Sequence, residues 1–317
     1  MPGKFVISLD FELHWGAAEK WDLHTMRGYF DATRQSIPVV LQMFEKYGIH
    51  ATWATVGFLF AKNKQQLLEF CPKDRPTYKN PSLSYYNLID NGQVGEDESD
   101  DPYHYAPSLI QKILDTPHQE LGTHTFAHYY CNESGQTEAQ FAQDLQAAQT
   151  IAKANFNVEL QSLVYPRNQF NAHYLEVAKT YGIRTVRTNP DVWFWNTASK
   201  IAPIARAFDT LLPISGTLTF DTQSMKDDGI LLQPASRFLR PYTQKEKIVQ
   251  GMKMNRIKSE MRHAAQNARG YHLWWHPHNF GYSTDENLRY LEEILQYFQQ
   301  LQTEFGFGSA SMIEMCR

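Results

Sequence analysis

Four short segments of the sequence place acidic, histidine or arginine side chains where an apolar run ends. The first contains Asp10 and Glu12, two carboxylates two positions apart at the end of the run 5–9. Because successive side chains of a strand alternate between its faces, residues two apart point to the same side. The pair can therefore serve a metal ion or an acid–base reaction. It can equally well cap the turn that follows the strand.

The second segment contains two histidines four positions apart, His124 and His128. If the segment is helical, both imidazoles lie on one face and can reach one divalent cation, since zinc binds histidine nitrogen at roughly 2.1 Å. A solvated helix face can carry the same spacing without a metal. Together with Asp10 and Glu12, the pair predicts a site where oxygen and nitrogen ligands converge on one divalent cation.

Arginine and histidine occupy the other two segments. Arg167 comes after the apolar run 163–165 and a proline, although a surface arginine would give the same pattern. His276 and His278 flank a proline directly after the strongly apolar run 271–275. A histidine at the end of a buried strand can be a core residue, but two of them beside a proline and several aromatic residues favour a site.

Alternating predicted strands and helices must position these side chains. At this chain length the alternation favours a parallel α/β barrel or an open doubly wound sheet. An α/β barrel keeps its active site at the C-terminal ends of its strands, where the four segments lie. No glycine-rich nucleotide-binding motif follows any predicted strand. The predicted strands are 4–9, 51–56, 120–122, 160–165, 183–187, 271–275 and 309–313, and the predicted helices are 31–47, 107–115, 137–154, 171–181, 243–268 and 284–304.

Two stretches interrupt the alternation. Residues 62–117 are rich in proline, asparagine, aspartate and tyrosine, with only 107–115 predicted as helix, and they form a long insertion. Residues 196–242 are predicted as loops with short extra strands. Both are expected to lie where barrel loops meet substrate.

Composition and charge exclude several classes of protein. The 317 residues are 42% hydrophobic and carry a formal charge of −4, so we expect a folded core and neither a nucleic-acid nor an anionic membrane partner. The three cysteines are widely spaced and none forms a CxxC pair, which argues against a disulfide framework or a cysteine-ligated zinc site. Without a signal-peptide pattern or an 18-residue apolar run, we expect no membrane span and a cytoplasmic protein. Nothing in the sequence indicates an oligomeric state.

In this order the four segments resemble motifs of the polysaccharide deacetylases, the NodB-homology family or carbohydrate esterase family four, over residues 4–280. The resemblance implies an α/β fold, a distorted (β/α)7 barrel, in a single catalytic domain over 1–317 with the insertion 62–117 inside it. It implies a hydrolase that removes an acetyl group from an N-acetylated sugar of a bacterial envelope polysaccharide or its precursor. It also implies one divalent metal ion, with zinc expected and other first-row metals as alternatives.

The resemblance implies catalytic roles for four residues. Asp10 matches the catalytic base, and Arg167 matches the arginine that pairs with that base, although the order YPRN differs from the usual RxPxG. His276 matches the general acid, with His278 as the second candidate for that role. Asp191 falls in a segment that corresponds loosely to the fourth motif of the family.

The implied metal ligands are Glu12, His124 and His128. Related enzymes place an aspartate at the position of Glu12, so the ligand here is longer by one methylene group. The longer side chain can shift the ion or bind it through both oxygens, which keeps metals other than zinc open.

Substrate contacts are expected from aromatic residues near the motifs, because sugar rings stack on aromatic faces. Aromatic residues make up 14% of the chain, and most serve as core. We expect sugar contacts from Trp15 and Trp193, a backbone N–H near Tyr165 at the acyl oxygen, and His278 at the substrate.

Other functions fit parts of the pattern. An allantoinase-like hydrolase of a cyclic amide resembles the same family, and a carbohydrate-binding relative could keep the fold without catalysis. A retaining glycosidase on a related barrel would use two carboxylates about 5–5.5 Å apart and no metal. That interpretation leaves His124 and His128 without a function.

Overall fold

The computed structural model describes residues 2–190, 192–195, 201–202, 205, 209–211, 215–222, 226–227 and 229–316. In this part of the chain, strands and helices alternate. The strands are β1 (Lys4–Phe11), β2 (Ala51–Thr55), β3 (Gln119–Thr123), β4 (Ser162–Leu163), β5 (Thr185–Thr188), β6 (Lys226–Asp227), β7 (Ile230–Pro234), β8 (Arg237–Phe238), β9 (Gly270–Trp275) and β10 (Gly308–Ala310). The helices are α1 (Leu23–Tyr47), α2 (Lys64–Phe70), α3 (Tyr86–Asp90), α4 (Pro107–Asp115), α5 (Glu138–Phe156), α6 (Ala172–Thr180), α7 (Gln250–Gln266) and α8 (Thr284–Phe305).

The strands form one sheet in the order β6-β7-β5-β4-β3-β2-β1-β9-β8, with β10 also paired to β1. Among the described strands, β6 and β7 pair antiparallel and the other neighbours pair parallel. The carboxyl ends of the parallel strands therefore meet at one rim of the sheet.

The sheet curls into a barrel, and the segment 230–238 closes it by pairing with β5 on one side and with β9 on the other. The first half of this segment, β7, pairs with β5, and the second half, β8, pairs with β9. Between the halves, Ala235 N–H donates to the Thr188 carbonyl and Ser236 N–H donates to the His272 carbonyl, both at 2.8 Å. Within the described residues this gives seven strand positions around a barrel: β1, β2, β3, β4, β5, β7 with β8, and β9. The barrel prediction is confirmed.

The central strand β1 carries the first pair of carboxylates. Residues 5–11 are buried without interruption, which is typical of a parallel strand covered on both faces. The strand continues two residues beyond its predicted end at Leu9, so Asp10 belongs to it and Glu12 follows it directly. Both side chains thus start from the C-terminal rim of the barrel.

Helix α1 begins at Leu23, eight residues before its predicted start. The Asp22 carboxylate accepts the His24 N–H and caps the first turn. Gly48 ends the helix in the left-handed conformation with φ 62°. Apolar side chains at helical spacing bury the inner face, and each fully buried one stabilises the fold by about 1.5–3 kcal/mol. They include Ile37, Val40, Leu41 and Phe44.

Several other elements differ from their predicted extent. The insertion contains α2 and α3 in addition to the predicted α4, and the Asn63 side chain caps α2 by accepting the Gln66 N–H. Strand β4 has only two of the six predicted residues. The predicted helix 243–268 starts as a 3-10 turn over Gln244–Val249 before α7 begins. No helix in the described ranges is long and apolar enough to cross a bilayer.

Candidate active site

A cavity of about 230 Å³ opens at the C-terminal rim of the barrel. It collects side chains from the loops after β1, β3 and β4, from β5, and from the end of β9. All four segments identified in the sequence reach it. Its lining includes Asp10, Glu12, Gly16, Glu19, His124, His128, Tyr130, Arg167, Asn168, Arg187, Trp274 and His276.

Asp10 forms a bidentate ion pair with Arg187 from β5. The guanidinium donates to both carboxylate oxygens, at 2.6 and 2.7 Å, and both residues are almost fully buried. Burial alone would raise the pKa of Asp10, but Arg187, with His124 and His276, holds that pKa below its ordinary value. Asp10 is therefore an ionised carboxylate fixed in orientation.

Further contacts hold Arg187 in place. Its guanidinium donates to the Ser8 hydroxyl at 3.0 Å and to the Asn168 side-chain oxygen at 3.3 Å. It also lies 4.2 Å from the centre of the Trp274 ring, a cation–π distance. These contacts join β1, the turn after β4, β5 and β9 across the barrel interior.

Glu12 lies beside the two histidines of the second segment. Its Oε2 atom is 2.9 Å from His128 Nε2 and 3.6 Å from His124 Nε2. Burial alone would raise the pKa of Glu12, but His276, His124 and His128 hold it well below its ordinary value. The carboxylate and the two imidazoles offer three ligand atoms that all lie within 4.8 Å of one another.

The two histidines approach each other on a loop and not on a helix. Thr125 and His128 adopt left-handed conformations, with φ of 65° and 53°. The His124 Nδ1–H donates to the Val164 carbonyl at 2.8 Å, so Nε2 is the ring nitrogen that faces Glu12. Burial lowers the pKa of His128, so its imidazole is neutral as a metal ligand requires. The described residues thus fit a divalent cation.

Asp144, a residue of α5, stabilises the loop that carries His124 and His128. Its two oxygens accept the Phe126 and Ala127 N–H groups at 2.7 and 3.0 Å. Burial raises the pKa of Asp144 to about 7. The carboxylate is therefore protonated more readily in the folded protein than in the unfolded chain.

Asp144→Asn should change how stability depends on pH. Because the folded-state pKa is raised, the Asp144 contribution is fully present below about pH 4 and is lost as the pH rises to about 7. The loss amounts to at most about 1.4 kcal/mol per pH unit. Asparagine does not titrate, so the variant should gain stability relative to the wild type across this window. Urea unfolding in the presence of a chelator at several pH values measures this gain. Asp115→Asn, at an exposed position, is the control. If the stability of Asp144→Asn and of the wild type changed in parallel with pH, the prediction would be contradicted.

The last segment places His276 and His278 on the other side of Glu12. His276 Nε2 is 3.3 Å from Glu12 Oε1 and 3.7 Å from Asp10 Oδ2. Its side chain is 26% exposed, so the ring faces both the carboxylates and the cavity. His278 is buried, with Nδ1 at 3.8 Å from Glu12 Oε1.

Arg167 does not pair with Asp10, and this expectation is wrong. The residue adopts a left-handed conformation, φ 55°, in the turn Pro166–Asn168, which directs its side chain toward Glu19 at 2.5 Å. Its guanidinium lies 4.2 Å from the centre of the Tyr130 ring. Arg187 forms the pair instead because β5 brings it into the barrel interior at the level of Asp10.

Of the aromatic residues expected at the substrate, Trp15 and Tyr165 are buried in the core and Trp193 is exposed. Trp15 is fully buried and donates to the His104 carbonyl, so the expected sugar contact is wrong. The Tyr165 side chain is also core and donates to the Tyr174 carbonyl, which leaves only its backbone for a ligand. Trp193 is 54% exposed and remains a candidate. Asp191 lies outside the described residues.

The sequence analysis missed two residues of the site, Arg187 and Gly16, although a feature of each points to a role. Arg187 is a charged residue inside the predicted apolar strand 183–187, where a buried cation needs an anionic partner. Gly16 ends the 3-10 turn after Glu12, and a Cβ atom there would lie 1.9 Å from the Glu12 carboxyl carbon. The absence of a side chain at position 16 makes room for Glu12.

The insertion 62–117 covers one side of the site. The Tyr85 ring packs edge-on against His128 at 5.2 Å, and its hydroxyl donates to Glu19. At the other end of the insertion, His104 bonds the His14 ring at 2.9 Å. This segment therefore contacts His128 and Glu19, two residues that line the cavity.

The sequence matches the model of a known protein family. The family model described as polysaccharide deacetylase matches residues 27–186, about half of the chain. No curated protein matches the chain.

Solved structures share the fold. A putative polysaccharide deacetylase from Mycobacterium smegmatis aligns with 100% of this chain and 90% of its own, at 11% identity and a TM-score of 0.60. A probable polysaccharide deacetylase from Pseudomonas aeruginosa PAO1 aligns with 94% and 84%, at 11% identity and 0.54. A GH57-type branching enzyme from Pyrococcus horikoshii aligns with 100% and 70%, at 12% identity and 0.52. At these identities the likeness concerns the fold alone. With its family model matching half of the sequence, the chain belongs to the polysaccharide deacetylase family.

Proposed function

We propose that this protein is a metal-dependent hydrolase that removes the acetyl group from an N-acetylated sugar of a polysaccharide or its precursor. The observation that carries the proposal is the grouping of Glu12, His124 and His128 beside the ionised pair of Asp10 and Arg187. A carboxylate with two imidazoles leaves coordination positions open, as a catalytic site requires.

Glu12, His124 and His128 would hold the cation, with zinc as the first candidate. A divalent cation held there would supply positive charge that polarises an acyl carbonyl and makes a nearby water more acidic. The backbone N–H near Tyr165 is a further donor for the acyl oxygen. Preorganised donors of this kind stabilise the charge that develops there.

Asp10 acts as the base that takes the proton of the attacking water. Arg187 occupies one lone pair on each carboxylate oxygen and leaves the others for this proton. The ion pair also stops the carboxylate from rotating away. Asp10 is therefore oriented before the substrate binds.

His276 protonates the nitrogen that leaves. It lies across the cavity from His124 and His128, within 3.7 Å of Asp10 and 3.3 Å of Glu12. Imidazole exchanges protons near neutral pH, which suits a group that must donate to an amine. The same exposed face of the ring allows it to be reprotonated from solvent.

A second cavity supports an extended sugar substrate. It has a volume of about 420 Å³ and shares Trp274 and His276 with the first cavity. Phe238 and Pro241 give it apolar surface, and Arg240 gives it a charged side. A sugar bound at the cation can therefore continue past His276 into a neighbouring space.

Elemental analysis combined with a free-amine assay tests the proposal. After dialysis against metal-free buffer, we expect about one ion per chain and release of amine from a chitooligosaccharide or nucleotide-sugar panel but not ring opening of allantoin. Glu12→Ala should lose the ion and at least ~100-fold in activity. Glu159→Ala, at an exposed position, is the control. Full metal content and full activity in Glu12→Ala would disprove the assignment.

A further inference from the structure

Glu12 has a second pair of histidines on its other side. While Oε2 faces His124 and His128, Oε1 faces His276 at 3.3 Å and His278 at 3.8 Å. The ligand atoms of Glu12, His276 and His278 also lie within 4.8 Å of one another. One carboxylate is thus shared between two sets of imidazole nitrogens.

His278 has no role in the chemistry proposed above, yet it is aimed at this carboxylate. It is 6% exposed, and among the described residues its Nδ1 atom has no hydrogen-bond partner. The rings of Trp21, Tyr29 and Phe30 surround it. A buried polar atom without a partner costs about 1–3 kcal/mol, so a ligand that satisfies it would be favoured.

The loop after β9 presents both histidines together. His276 is extended and the 3-10 turn Pro277–Phe280 follows, held by the Asn279 side chain, which accepts the His276 N–H at 3.2 Å. The two imidazole rings stack with their centres 4.9 Å apart.

We propose that Glu12, His276 and His278 form a second divalent-cation site that shares the Glu12 carboxylate with the first. The inference goes beyond the proposed function, because the first site needs only Glu12, His124 and His128. The second ion binds more weakly, since it enters beside a cation and its carboxylate is already engaged. Its occupancy also removes His276 as a proton donor, so excess metal inhibits the enzyme.

Metal titration of the full chain tests this site without relying on activity. Calorimetric titration with Zn²⁺ should show two unequal binding steps in the wild type and the tighter one alone in His278→Phe. Phenylalanine keeps an aromatic ring among Trp21, Tyr29 and Phe30 but removes the ligand nitrogen. His173→Phe, whose native side chain is 77% exposed, should retain both steps.

Cobalt spectroscopy provides a measurement that needs no variant. Two Co²⁺ ions bridged by one carboxylate couple magnetically, so the second equivalent should reduce the paramagnetic resonance signal of the first. A single binding step at saturating Zn²⁺, a second step that persists in His278→Phe, or two uncoupled Co²⁺ ions would overturn the proposal. Failure of deacetylation with intact two-step binding would instead count against the proposed function alone.

Discussion

Asp10→Asn should produce the largest loss of activity and also destabilise the protein. Removing the base is expected to lower kcat on an acetylated oligosaccharide by about 10²–10⁴-fold. The substitution also leaves the buried Arg187 guanidinium without its anionic partner. Breaking a buried pair in this way costs about 3–5 kcal/mol in the free energy of unfolding. Metal content should stay unchanged because Glu12, His124 and His128 are intact.

A double variant separates these two effects. Asp10→Asn combined with Arg187→Met removes both charges, so it should recover most of the lost stability while the activity stays low. Urea unfolding and the free-amine assay measure the two quantities independently. Wild-type stability in the single Asp10→Asn variant would contradict the importance of the pair, and wild-type activity would contradict the role of Asp10 as base.

Gly16→Ala should remove the metal site while the fold survives. The new Cβ atom would lie 1.9 Å from the Glu12 carboxyl carbon, far inside contact distance. The carboxylate is the end of a flexible side chain, so it can rotate away at small cost to the fold. It then leaves His124 and His128, and cation affinity should fall by at least ~10–100-fold.

Gly28→Ala provides the matched control for this experiment. Gly28 is an exposed residue of α1, and a Cβ atom there would have nothing within 4 Å. The control should keep wild-type metal content and gain slightly in stability, because alanine favours the helix by about 1 kcal/mol. Calorimetric Zn²⁺ titration and thermal unfolding check both variants. Wild-type affinity in Gly16→Ala would mean that Glu12 is not a ligand in the position described.

Local patterns predicted alternating strands and helices in a barrel or an open doubly wound sheet, and the resemblance to the deacetylases favoured the barrel. Apolar runs predicted β1, β2 and β9, and the polar residues at the ends of β1 and β9 do meet at one rim. The resemblance grouped Glu12 with His124 and His128, and in the structure these three side chains do lie together. The strands themselves depend on short stretches of chain, which carry their own hydrophobic period and their own turn residues.

The contacts that could not be predicted depend on the tertiary structure and not on local sequence patterns. Asp10 and Arg187 are 177 positions apart, and only the barrel brings β5 to the level of β1. Arg167 follows its strand as expected, but a left-handed backbone turns it to Glu19. Trp15 illustrates the same limit, because the insertion that buries it beneath His104 has little periodicity of its own.

The pairing of β1 with β9 has a consequence for the order in which the enzyme forms. Ser8 and His272 share a hydrogen bond across these strands although they are 264 positions apart. Contacts between residues so far apart in the sequence form late in folding, because the intervening chain must first lose conformational entropy. Glu12 follows β1, and His124 and His128 follow β3, so all three are synthesised well before His276. We therefore expect a growing chain to acquire the proposed cation ligands before it acquires His276, the proposed proton donor.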